Sequence, residues 1–66
     1  GERQMPEEIR MLEDARTTHL FQMDQAEAFL RDSTTIEEAK GWALDSIREL
    51  RNAWRADLEL SRMRCC

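Results

Sequence analysis

Apolar residues recur along most of this chain at intervals of three and four, the spacing of one face of an α-helix. The clearest run is Ile36, Ala43, Ile47, Leu50, Trp54 and Leu58. At about 100° per residue these six fall in a band roughly 80° wide, the stripe that an amphipathic helix buries. A second run, Met5, Ile9, Leu12, His19, Met23, Ala26 and Leu30, follows the same alternation, with Arg16 where an apolar residue is missing. Beyond Pro6 the chain has no proline. The pattern predicts an all-α chain of two long helices.

Local signals place the ends. Pro6 suits a first helical position, and Glu7 and Glu8 behind it complement the helix dipole. Asp32-Ser33-Thr34-Thr35 is a block of residues that favour caps and turns, because their side chains compete for backbone hydrogen bonds. Thr34-x-x-Glu37 and Thr35-x-x-Glu38 both read as capping boxes. Phase gives a second argument. Heptads continued from the first run reach Ser33, Glu37, Lys40 and Leu44, whereas the second run starts at Ile36, three residues out of step. A turn at about 32–34 resolves both facts. It separates a helix over about 6–31 from one over about 35–64, folded back antiparallel. The competing reading is one continuous helix with a phase slip.

Size changes the picture. A chain of 66 residues forms one domain with a core too small to be strongly stable alone, and such domains borrow stability from disulfides, metals or further chains. Two adjacent Cys at one end cannot staple the fold, and a single His leaves little for a metal. Oligomerisation remains. Residues 1–66 are therefore expected to form a single helical-hairpin module, a small protein or a piece of a longer one, assembling into a dimeric four-helix bundle.

Each helix also carries a weaker stripe. In the second helix it is Trp42, Ser46, Glu49, Ala53, Ala56, Leu60 and Met63. In the first it is Met11, Asp14, Thr18, Phe21, Gln25 and Ala28. If the stronger stripes pack on each other, Phe21, Trp42, Leu60 and Met63 are left exposed, a patch of the kind that marks an interface. The residues predicted to carry helix packing and assembly are Phe21, Met23, Trp42, Ile47, Leu50, Trp54, Leu58, Leu60 and Met63.

Charge adds a second candidate surface. Arg48, Arg51, Arg55 and Arg62 lie within about 60° of one another beside the apolar stripe, with Glu59 interrupting the row. They are candidates either to pair with acids of the first helix, such as Glu8, Glu13 and Glu27, or to contact nucleic acid or an acidic partner. Residues 1–33 carry eight acids and four bases, and the remainder six of each. That asymmetry favours pairing between helices or subunits over phosphate binding.

Candidate chemistry is sparse. His19 sits in the apolar run without a nucleophile beside it, which suits a seam histidine bonding across the bundle better than a catalyst. No phosphate loop, catalytic triad or metal-ligand spacing is present, so no catalytic, cofactor or metal residue is assigned. No apolar run approaches ~18 residues, the length of a bilayer span. Unpaired Cys fit a reducing compartment, and the expected location is intracellular, cytoplasmic. Cys65-Cys66 after Arg62-Met63-Arg64 resembles the doubly lipidated tails of small membrane-associated GTPases in those two residues only; incidental free thiols are the expected reading.

The function expected from these features is non-enzymatic: a protein–protein interaction module that self-associates by helix packing, as an oligomerisation or docking domain. Its partners would be a second copy and possibly another helical protein. One alternative is a small helical nucleic-acid binder using the Arg row, which in architecture alone resembles the Rop-type RNA-binding hairpin dimers. Another is a small regulatory protein that inhibits a larger partner through its apolar face.

Overall fold

The computed structural model describes residues 6–65. Helix α1 spans Pro6–Asp32 and helix α2 spans Ile36–Cys65, and the two pack against each other as a hairpin. Met5, the side chain of Cys65 and Cys66 lie outside the described residues. The predicted boundaries shift by one residue at the turn: Asp32 closes α1, and Thr35 stands outside α2 as its cap.

Side-chain oxygens make the turn. The Ser33 hydroxyl donates to the Phe29 carbonyl at 2.9 Å, and the Ser33 amide donates to the Leu30 carbonyl at 3.2 Å, which satisfies two acceptors at the end of α1. At the start of α2, the Thr35 hydroxyl accepts the Glu38 amide at 3.2 Å. The Glu38 carboxylate in return takes the Thr34 amide at 3.1 Å. Of the two predicted capping boxes the one on Thr35 is used, with its return bond moved back by one residue. No described residue has positive φ, so the reversal needs no glycine.

The face by which α2 meets α1 is not the face predicted. Along α1 the seam is the expected run: Leu12, Arg16, His19, Met23 and Leu30 are half-buried and Ala26 is buried. Opposite it lies the weaker stripe of α2, with Ala53, Ala56 and Leu60 buried and Trp42, Ser46, Glu49 and Met63 half-buried. The strong stripe points away. Ile36, Ile47, Leu50, Trp54 and Leu58 are all exposed.

Two physical demands explain this choice. Arg16 and His19 sit in the α1 seam, and a half-buried polar group without a partner is costly. Glu49 of the weaker stripe and Asp57 at its border meet that demand. His19 Nδ1 lies 2.6 Å from a Glu49 carboxylate oxygen, and Arg16 donates to Asp57 at 2.6 Å. Packing Ile47, Leu50 and Trp54 there would have turned Glu49 away from His19, whereas Asp57 lies at the border of the two stripes. The second demand is close approach. Small residues on one helix let the long side chains of the other lie across it, and Ala53, Ala56 and Ser46 provide that room.

A further pair, Arg64 to Glu13 at 2.6 Å, ties the open end of the hairpin. Near the turn the rings of Phe29 and Trp42 stack, with centroids 4.6 Å apart. The result is a rod of 53 × 14 × 11 Å with a radius of gyration of 15.3 Å, against about 11 Å for a compact chain of this length.

Candidate docking surface

Among the described residues the buried hydrophobic core is Ala26, Ala53, Ala56 and Leu60. Three of the four are alanines. The large apolar side chains stand mostly outside it, and the densest set of them occupies one flank of α2. There Ile36 is 83% exposed, Trp54 60% and Leu58 44%, with Ile47 and Leu50 between them. The spacing that makes these residues share a flank is the same three-and-four pattern that makes α2 amphipathic.

Where this flank meets α1 it forms an open groove of about 820 Å³. Its floor is Leu20, Ile47, Leu50, Ala53 and Trp54, and Arg16, Asp57 and Arg51 stand at its rim. The rim is partly ordered, because Arg16 and Asp57 already bind each other across it. A smaller opening of about 540 Å³, lined by Met11, Leu12, Ala15 and Met63 between Glu8 and Glu59, lies toward the open end of the hairpin.

The structure separates the nine residues predicted for packing and assembly into two groups. Ile47, Leu50, Trp54 and Leu58 form the exposed flank, and Phe21 is exposed on α1. Leu60 is fully buried within the hairpin, and Met23, Trp42 and Met63 are half-buried. Trp42, Leu60 and Met63 therefore do not form the exposed patch expected of them. They belong to the contact between α1 and α2, because the weaker stripe of α2 turned inward. Phe29 and Leu20 were missed by the stripe reading. Phe29 could have been found by folding the sequence at the turn, which sets it across from Trp42.

The Arg row runs along the outside of α2, next to the apolar flank. Arg48 pairs with Asp45 at 3.1 Å, and Arg62 lies 3.9 Å from Glu59. Both partners are on α2 itself, three residues away. Among the described residues none of the four bridges to α1, and Arg51 and Arg55 have no carboxylate within ion-pair distance. Within one chain, pairing of the row with Glu8, Glu13 or Glu27, one of its two expected readings, does not form among the described residues. Glu13 binds Arg64 instead, and the Arg16–Asp57 pair places the cation on α1 and the acid on α2. The row points outward because the inward face is already taken by alanines and Glu49.

His19 sits between the helices, half-buried, and bonds across to Glu49, the seam role expected of it. No three His, Cys, Asp or Glu side chains among the described residues gather as a metal site. No described helix is long and apolar enough to cross a membrane. Comparison of the chain with protein-family models, with curated proteins and with solved structures finds no match.

Proposed function

We propose that this chain is a non-enzymatic interaction module that self-associates through the apolar flank of α2, two hairpins forming a four-helix bundle. One observation carries the reading: Ile36, Ile47, Leu50, Trp54 and Leu58 are exposed while the core is made of three alanines and one leucine. Contiguous apolar surface rimmed by charge is typical of a face that another protein covers. The chain presents 5295 Å² of surface, against about 4400 Å² for a compact monomer of its mass.

Fully burying one large aliphatic or aromatic side chain is worth about 1.5–3 kcal/mol, and these five have roughly half of that still to gain. Covering them on two copies recovers about 10 kcal/mol, the same order as the cost of bringing two chains together. The association is accordingly expected to be sensitive to dilution. Molecular mass across a dilution series, with and without reductant, tests it. Dimer mass that falls to monomer on dilution in both conditions supports the reading. A folded monomer at every concentration overturns it, and dimer only without reductant assigns the link to Cys65 or Cys66.

The second reading, a nucleic-acid contact through the Arg row, draws on Arg51 and Arg55, which are exposed and meet no carboxylate among the described residues. It requires steep weakening of binding with salt. The third, docking on a larger partner, uses the same apolar flank.

A further inference from the structure

We infer that the self-associating face pairs α2 with α2 of a second copy in antiparallel sense, with the two-fold axis passing between Ile47 and Leu50. This rests on the self-association proposed above and adds direction and register to it.

Size complementarity gives the register. Between Ile36 and Leu58 the flank has one large ring, Trp54, and one small residue in the same band, Ala43. In a parallel pair each residue meets its own copy. Trp54 then collides with Trp54 while Ala43 faces Ala43 across a void, and both overpacking and voids are destabilising. In an antiparallel pair centred between Ile47 and Leu50, Trp54 lies over Ala43 of the second copy and Ile47 over Leu50, each contact made twice by symmetry. The crowded and empty layers cancel.

Charge toward the ends of α2 agrees with that register. In an antiparallel helix pair the same flank of each helix faces its own equivalent. On the outer flank of α2, Glu37 then comes beside Arg62 of the second copy, within about a turn of helix. Arg62 is free to respond, since its side chain is 78% exposed and its bond to Glu59 is long at 3.9 Å. Arg51 falls beside Leu44, which is exposed, and near the two-fold axis Arg48 comes beside Arg51 of the second copy, a like-charge contact that the bond of Arg48 to Asp45 partly screens. Gly41 lies off this band, on the side of α2 where a Cβ would meet nothing within 4 Å.

The test combines a distance with two swaps, in the 66-residue chain carrying Cys65→Ser and Cys66→Ser. Spin labels on Ser61→Cys are expected about 40 Å apart along the helix axis in the antiparallel dimer and about 10 Å apart in a parallel one. Ala43→Trp is expected to weaken dimerisation at least tenfold, and adding Trp54→Ala to restore it. Glu37→Arg is expected to weaken it by up to about tenfold, with Arg62→Glu restoring it. Helix content of each variant, read by circular dichroism, separates loss of pairing from loss of fold. Dimer mass with a short Ser61 distance, or swaps that fail to compensate in folded variants, overturns this inference and leaves self-association standing. Absence of dimer mass in the parent chain overturns both.

Discussion

Leu58 and Leu60 offer a direct trial of which face of α2 is inside. They are two residues apart on one helix and chemically identical, yet Leu60 is fully buried and Leu58 is 44% exposed. Leu60→Ala leaves a cavity against α1, at a cost of about 2–5 kcal/mol. Leu58→Ala removes a side chain that packs by only about half, and should cost about 1 kcal/mol in the isolated hairpin. For a chain of this size 1 kcal/mol moves the melting temperature by about 4–8 °C. A domain this small holds only about 3–5 kcal/mol in total, so Leu60→Ala should abolish the folded state or lower its melting point by about 8 °C or more. The assay is thermal melting by circular dichroism at two protein concentrations, one below and one above dissociation of any dimer. At the low concentration Leu60→Ala must be the more damaging. At the high concentration Leu58→Ala should lose additional stability, because its remaining surface is then covered. Equal costs at low concentration, or the reverse order, would refute the assignment of faces.

Other outcomes follow from the same geometry. Gly41→Ala should stabilise the hairpin by up to about 1 kcal/mol, read as a higher melting temperature, since Gly41 has no positive φ and its Cβ position is open. Thr35→Ala should cost about 1 kcal/mol in a urea titration by removing the hydroxyl that accepts the Glu38 amide. A double-mutant cycle of His19→Ala and Glu49→Ala should give a coupling of about 0.5 kcal/mol or more, because the pair is half-buried and bridges the two helices. Asp57→Asn should cost no more than about 1 kcal/mol, with the difference from the parent shrinking at high salt, as its bond to Arg16 is substantially exposed. Zero coupling between His19 and Glu49 would place their contact outside the seam.

Helix existence, the turn and the caps were legible in the sequence because they are local properties: Pro6, the Ser33-Thr34-Thr35 block and Glu38 act within a few residues of themselves. The α1 seam was legible for the same reason. The face of α2 that meets it was not. Ranking stripes by apolar content assumes that the greasiest face turns inward, and here Arg16 and His19 reverse that rule. A seam holding a cation and an imidazole needs Asp57 and Glu49 near it; Asp57 borders both stripes, but only the polar-diluted stripe supplies Glu49. The presence of Arg16 in the first run was the available signal. The Arg row was placed correctly on one side of α2, but its expected partners on α1 ignored that the row lies on the far side of the helix.

The alanine seam would by itself be a smooth track. Ala26, Ala53 and Ala56 offer little to stop one rod from sliding along the other, since neighbouring turns present much the same shape. The polar ties act as a vernier. Displaced by one helical turn, Arg16 would meet Ala53 or Ser61 in place of Asp57, and His19 would meet Ala53 or Asp45 in place of Glu49. With the Glu13–Arg64 tie at the far end, the hairpin has one setting, and whatever surface it offers outward is held in fixed alignment by contacts hidden between its two halves.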